Sequence, residues 1–360
     1  MTALILGGYG NFGKRIAALL TRKGVAVVIA GRDASKAEAA AKTLPPQLAE
    51  HAAFDAKSDL ARYLALLKPS VVINTCGPFQ NSDYGIAETC IAGAVPYIDL
   101  ADGRDFATGI TTLDAAAKKQ NVAVVSGAST VPALTCAVME NLALRLREID
   151  SLTFGIAPGQ KAERGLATTE AILGYAGKKL KPCAGYETRY GWQDLYLQAY
   201  PEIGNRWMAN CDVPDLDLLP ARFGIKRIRF SAGMEIAAVH FGMWLLSWGV
   251  RLGIPIDLPT HAAALLKTSN WFDRFGSADG GMHVILEGRD RSGRQLTLKW
   301  FIVARDGDGP YIPTVPAVVL ARKIIAGTFV RAGAMPCMGM ITLREYLDEL
   351  EHLKIKTYEI

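Results

Sequence analysis

The sequence predicts an α/β fold in which an N-terminal doubly wound parallel sheet is followed by a second, α+β domain and a C-terminal helical segment. Three observations predict it. Residues 2–16, TALILGGYGNFGKRI, pass from a short apolar run through clustered glycines into a helical pattern. Apolar runs of strand length then alternate with helical periodicity as far as residue 130. Past residue 131 the alternation stops, and residues 282–289 and 295–304 read as a hairpin turning at Gly293.

Composition bounds the function. The chain has 360 residues, 50% of them hydrophobic, enough for two domains with ample cores. Lys plus Arg outnumber Asp plus Glu by 40 to 35, a mild positive balance suited to anionic cofactors or substrates. No Lys/Arg block marks a nucleic-acid surface, so nucleic acid is not an expected partner. The chain enters a strand at once, without the basic and long apolar regions of a signal peptide, and a cytoplasmic location is expected. Six cysteines without a CxxC pair and five histidines without a cluster predict reduced thiols and no metal site.

In the opening unit, residues 3–6 form the strand and Ile16, Leu19 and Leu20 mark one face of the helix. Gly8, Gly10 and Gly13 have GxGxxG spacing between the two. One glycine makes the tight turn, the next admits a pyrophosphate to the backbone amides, and the third lets helix and strand pack closely. The positive end of the helix dipole then faces the phosphates. Gly8, Tyr9, Gly10, Asn11, Phe12 and Gly13 are therefore assigned to cofactor binding.

The second strand, residues 25–30, ends in Gly31-Arg32-Asp33, about 20 residues past the glycines, where an acidic residue marks NAD. A carboxylate repels a 2′-phosphate, whereas a guanidinium pairs with it bidentately. The sequence thus favours NADP, held by Arg32 and Lys36; the alternative has Arg32 solvated and Asp33 on the ribose. A third strand, 51–54, places Asp55 toward the adenine side. The strand 71–73 leads into Asn74-Thr75-Cys76-Gly77-Pro78-Phe79 at the carboxyl end of the sheet, where ligands sit in such folds. Cys76, Gly77, Pro78 and Phe79 are assigned to the cofactor, Cys76 as a small packing residue under the nicotinamide.

Helices are expected at 34–44, 60–67, 84–92 and 110–120. The strand 95–100 ends in Ala101-Asp102-Gly103-Arg104, and the strand 122–125 runs out toward Ser129 and Thr130. Asp102 is the candidate catalytic acid/base or amine-binding residue, with capping of the following helix as the competing reading. Arg104 reads as a solvated loop residue, with a clamp on a substrate carboxylate as the alternative. In the second domain a helix at 133–146, a strand at 151–156 and a helix at 166–176 are followed by residues 177–235, which resist assignment. Tyr175 and Lys179 have YxxxK spacing, read as chance because Gly177 weakens the helix that would present them. Residues 236–250 are uncharged and mostly apolar, too few for the roughly 20 that span a bilayer. A buried or interface helix is expected there, membrane contact through 236–250 being the alternative.

The glycine turn, Gly31-Arg32, residues 74–79 and Tyr97-Ile98-Asp99-Leu100-Ala101-Asp102-Gly103 resemble the saccharopine dehydrogenase superfamily. Weaker matches run through Pro158-Gly159, residues 164–168, Gly309-Pro310 and Gly333-Ala334 with Cys337 and Gly339. The resemblance implies a Rossmann domain binding NADP(H) at 1–131 and an α+β domain at 132–315 supplying substrate contacts and the surface of a homodimer. It also implies a helical segment, 316–360, that returns to the first domain. The expected activity is NADP(H)-dependent hydride transfer to or from a C=N or C=C bond of a small or lipid-linked molecule. An NADP(H)-binding sensor without turnover and a peripheral membrane enoyl reductase are the alternatives. The chain is shorter than fungal saccharopine reductases and lacks placeable arginines for a dicarboxylic amino acid, which disfavours saccharopine itself.

Overall fold

Strand β1 (Thr2–Leu6) is buried from Ala3 onward, as a strand covered on both faces must be, and it stands inside a seven-stranded parallel sheet. The structure, a computed structural model, describes residues 1–80 and 82–360. It comprises two units: Met1–Leu134 with Tyr311–Glu349, and Thr135–Pro310 with Leu350–Ile360.

In the first unit the chain alternates α1 (Asn11–Arg22), β2 (Ala26–Gly31), α2 (Ala34–Lys42), β3 (Ala49–Ala53), α3 (Leu60–Leu67), β4 (Val71–Asn74), α4 (Gly85–Ala92) and β5 (Tyr97–Asp99). Then come α5 (Arg104–Gly109), α6 (Asp114–Lys119) and β6 (Ala123–Ser126). Helix α5 was not expected from the sequence; its six residues, RDFATG, are too few to show a period. Strand β1 pairs with β2 on one side and β4 on the other, so the direction of winding reverses between β1 and β4. Burial explains the strand sequences: Val71, Val72 and Ile73 in β4 are fully buried, as are Ile16, Ala17 and Leu20 on the inner face of α1.

The second unit holds α7 (Thr135–Leu142), β7 (Glu148–Ala157), α8 (Leu166–Tyr175), β8 (Tyr196–Tyr200), β9 (Gly204–Asn210), α9 (Asp215–Phe223) and β10 (Arg227–Met234). It continues with α10 (Ala237–Arg251), α11 (Ala262–Asn270), β11 (Gly280–Arg289) and β12 (Gln295–Ala304). The tail supplies α12 (Val315–Ile325), β13 (Gly333–Pro336), α13 (Leu343–Asp348) and β14 (Ile355–Glu359). The tail is thus more than helical: β13 pairs with β6 in the first sheet and β14 with β12 in the second. The second sheet has the order β14-β12-β11-β7-β10-β9-β8, antiparallel except where β7 meets β10.

Alternation divides that second sheet into two faces. Met282, Val284 and Leu286 of β11 share one with Leu152, Phe154, Leu298 and Trp300, all buried. The other face is floored by glycines. A Cβ on Gly155 would lie 2.8 Å from Met208 Cε and 2.9 Å from His283 Cε1, and one on Gly281 would lie 3.1 Å from Tyr200 Cδ1. Bare Cα atoms let the β8–β9 hairpin lie close over β7 and β11.

Candidate active site

At the carboxyl end of β1 the chain must turn sharply and leave room for a ligand. Gly7 adopts φ +71°, where a Cβ would also collide with Thr75 Oγ1 at 2.7 Å. A Cβ on Gly13 would stand 2.4 Å from the Gly7 carbonyl oxygen and 2.7 Å from Gly8 Cα, so helix and turn touch backbone to backbone. The Gly8 amide donates to the Ala30 carbonyl at 3.0 Å, tying the turn to β2. Gly10 is the N-cap of α1 and contributes no side chain, which leaves the first-turn amides of Phe12 and Gly13 pointing out of the helix end. These residues fit the pyrophosphate of a dinucleotide: a carbon-bare turn, outward amides and the helix dipole converge on one spot.

The turn stands at the switch point of the sheet. Thr75, just past β4, donates its amide to the Leu6 carbonyl at 3.0 Å and its hydroxyl to the same carbonyl at 2.8 Å. The two loops that diverge here, after β1 and after β4, are thereby held together, and the crevice between them is where open α/β sheets bind ligands.

The ring of Tyr9 lies against Gly31 at the end of β2, and its hydroxyl accepts the Asp33 amide at 3.3 Å. Arg32 is exposed beside it. Asp33 caps α2, accepting the Lys36 amide at 3.1 Å and the Ser35 hydroxyl at 2.7 Å, and the Ser35 bond is the main cause holding its carboxyl below the usual range. Lys36 turns its ammonium toward the same carboxylate, Nζ to Oδ2 3.5 Å. Asp55 is exposed past β3 and accepts the Lys57 amide at 2.9 Å. Cys76 is exposed as a residue, while desolvation of its thiol against the turn pushes the pKa up to about 11, with Arg32 opposing and Asp55 adding to the shift. The Arg32 and Asp55 charges therefore both reach the Cys76 thiol. Gly77 and Pro78 are exposed, whereas Phe79 is 7% exposed and packs on Phe106 at 5.2 Å between ring centroids.

Two carboxyls stand at the end of β5 and just past it. Asp99 is fully buried; its Oδ1 accepts the Ser126 hydroxyl at 2.8 Å and the amides of Ala101 and Gly127, both at 2.9 Å. Burial raises its pKa to about 6 against those donors. The Tyr97 side chain also acts on this carboxyl, lowering its pKa. Asp102 is half-buried and accepts the Gln80 side-chain amide at 3.1 Å; desolvation raises its pKa. The N-cap of α5 is Gly103 with no side-chain cap bond, so Asp102 does not cap that helix. Arg104 departs from expectation, being 4% exposed in the first turn of α5. Ser129 and Thr130 are also buried.

A second polar constellation, absent from the sequence reading, lines the glycine-floored face of the second unit. His283 is fully buried; its Nδ1 stands 2.8 Å from the Tyr200 hydroxyl and its Nε2 3.2 Å from the Tyr196 hydroxyl. Burial lowers its pKa to about 3. The Arg229 guanidinium lies 4.5 Å over the Tyr196 ring, and the buried Ser231 hydroxyl faces Tyr196, whose raised pKa it opposes. The missed signal was alternation in residues 196–200, where Tyr196 and Tyr200 flank Gln198. Tyr175 and Lys179 do not form a pair on one helix face: α8 ends at Tyr175 and Gly177 turns the chain at φ +69°. Among the described residues, no group of three His, Cys, Asp or Glu stands together as a metal site.

Residues 3–131 match the saccharopine dehydrogenase NADP binding domain. No curated protein matches the sequence. The apo, histidine-tagged saccharopine dehydrogenase (L-Glu forming) from Saccharomyces cerevisiae is similar over 100% of this chain and 99% of its own, with 12% identity and a TM-score of 0.67. The amine dehydrogenase from Mycobacterium smegmatis is 12% identical over 94% of each chain, with a TM-score of 0.48. The first of these likenesses shows the fold.

Proposed function

We propose, on the match of residues 3–131 to the saccharopine dehydrogenase NADP binding domain, that the chain is an NADP(H)-dependent oxidoreductase moving hydride to or from a C=N or C=C bond of a small or lipid-linked substrate. The single observation that carries this reading is the glycine turn at the β1/β4 switch point, with its outward amides and its tie to Thr75. The choice of NADP over NAD draws support from Asp33, whose carboxylate is spent on capping α2 while Arg32 stays exposed at the end of β2. A guanidinium there meets a 2′-phosphate bidentately, and the Lys36 ammonium 3.5 Å from Asp33 Oδ2 offsets part of that carboxylate's charge.

NADPH supplies the hydride when bound; the chain orients the reactants and handles the proton. Asp102 is suited to hold a proton, because desolvation raises its pKa while Gln80 fixes one carboxyl oxygen. Asp99, held by two donors from β6 and its following loop and by the Ala101 amide of its own loop, shapes the backbone that carries Asp102.

Calorimetric titration of the native protein and of Arg32→Ala with NADP and NAD tests the cofactor assignment. NADP is expected to bind native protein more tightly than NAD, and Arg32→Ala to remove that preference. Equal affinities in the native protein sink the assignment. NADPH oxidation across a panel of imines, ketones and enoyl compounds then identifies the bond reduced.

A further inference from the structure

We propose that the outer face of α10 and the loop after it form a docking surface for an anionic lipid membrane, on which the chain rests without crossing. Independently of the cofactor reading, this rests on how apolar residues are distributed in the second unit.

Helix α10 buries His240, Met243 and Ser247 on its inner side. An ordinary surface helix carries Lys and Glu on its other side, yet no charged residue lies between Glu235 and Arg251. The outer stripe is Phe241, Trp244, Leu245 and Trp248, with Leu245 62% exposed. The following loop adds Leu252, Ile254 and Ile256 at 75%, 51% and 40% exposure. Trp271 and Phe275, past α11, add two further rings at 69% and 64%. Their segment is tied to the start of α10: Gln160 donates to the Ser269 carbonyl and Asp273, and its amide donates to Glu235, two residues before α10. Exposed apolar side chains gathered in this way mark an interaction surface rather than the scattered singles of an ordinary exterior.

Charge selects the partner. Lys178, Lys179, Lys181, Arg251, Lys267 and Arg274 are exposed around this surface, against only Glu187, Asp257 and Asp273 over residues 178–191 and 237–278. The 178–191 segment belongs to the same surface, since the Arg251 guanidinium lies 3.9 Å from the Tyr190 ring and 4.8 Å from the Trp248 ring. A two-fold contact with a second copy would press this cationic rim against itself, whereas anionic headgroups complement it. The 15 residues of α10 span about 22 Å, and among the described residues no helix is long and apolar enough to cross a membrane. The apolar stripe, aromatic rings and basic rim are the features of a helix lying in the interface.

Flotation of the full chain with phosphatidylcholine vesicles, with and without phosphatidylglycerol, tests the proposal. The native protein is expected to float with the anionic vesicles and to be released by high salt. Leu252→Glu with Ile254→Glu, both exposed, is expected to lower vesicle partition at least about tenfold while NADP affinity, read by calorimetry, stays unchanged. Native protein that remains unfloated with both vesicle types overturns the proposal, as does a double variant that floats like the native chain. A concentration-dependent dimer that the double substitution dissolves, seen by sedimentation in the absence of lipid, assigns the face to a second copy and likewise overturns it.

Discussion

A Cβ on Gly31 would stand 2.3 Å from Cε1 of Tyr9, so the aromatic ring of the glycine turn rests directly on the last residue of β2. The contact couples the pyrophosphate end of the site to the strand end that carries Arg32. Gly31→Ala must displace the ring, and with it the Tyr9 hydroxyl that accepts the Asp33 amide. NADP affinity is expected to fall about tenfold, near 1.4 kcal/mol, and the double variant Gly31→Ala/Tyr9→Ala to recover part of it. Titration against both variants checks this; an unaffected Gly31→Ala affinity means the ring is not part of the cradle.

Asp102→Asn keeps the shape of the side chain and removes its proton. Turnover is expected to fall by about 10²–10⁴, with NADP affinity little changed. Gln80→Ala should leave the acid in place while shifting the pH profile of kcat, since it removes the hydrogen bond that opposes the raised pKa. Full activity of Asp102→Asn takes the residue out of the proton path.

The buried Asp99 carboxyl makes stability depend on acid. Its pKa in the folded chain is about 6, above the ordinary 3.8, so the folded state binds the proton more tightly than the unfolded state does. That stabilisation is complete below about pH 4 and is lost as pH rises through about 6. Asp99→Asn cannot titrate, and the difference in unfolding free energy between native protein and variant should change by on the order of 3 kcal/mol across this window. Urea melts at pH 4 and pH 7 measure it; a difference independent of pH contradicts the assignment.

Tyr200→Phe leaves Nδ1 of a fully buried imidazole without its partner at 2.8 Å. The cost is expected to be about 1–3 kcal/mol in chemical denaturation. His283 has a depressed pKa, about 3, so its neutral form stabilises the fold above the ordinary 6.5 and the contribution drains away as pH falls below that value. His283→Gln is therefore expected to lessen acid sensitivity between pH 6 and 4, followed by circular dichroism.

The nucleotide-binding half was legible because its strands are buried on both faces and must be written as aliphatic runs. Val71–Asn74 and Ala26–Gly31 admit few other readings. The glycine turn was legible for a related reason: a Cβ 2.4 Å from a carbonyl is impossible, so Gly13 is fixed by geometry rather than preference. The β8–β10 region was not legible. Gln198, Arg206 and Arg229 sit at strand positions whose neighbours lie far along the chain, and a polar residue placed that way looks like loop until its partners are known. His283 shows the same limit: it fell within a foreseeable hairpin, but its two tyrosines lie 83 and 87 residues earlier. Arg104 read as solvated because nothing in its immediate neighbourhood signals burial. Position around the crevice was inferable for Lys36 and Phe79, but direction was not: one side chain bends to Asp33 and the other packs inward on Phe106.

Strand β13 has a consequence for the order in which this protein can be completed. Gly333–Pro336 pairs in parallel with Ala123–Ser126, so the nucleotide-binding sheet borrows its last strand from residues synthesised two hundred positions later. During translation at about 5–20 residues per second, the edge of β6 stays open for some tens of seconds after it has emerged. An open parallel edge is a template for the wrong neighbour, and Thr135–Pro310, all of the second unit but its last segment, is made during that interval. Nascent chains stalled before residue 333 are therefore the species most in need of a chaperone, and the ones most prone to pair with one another.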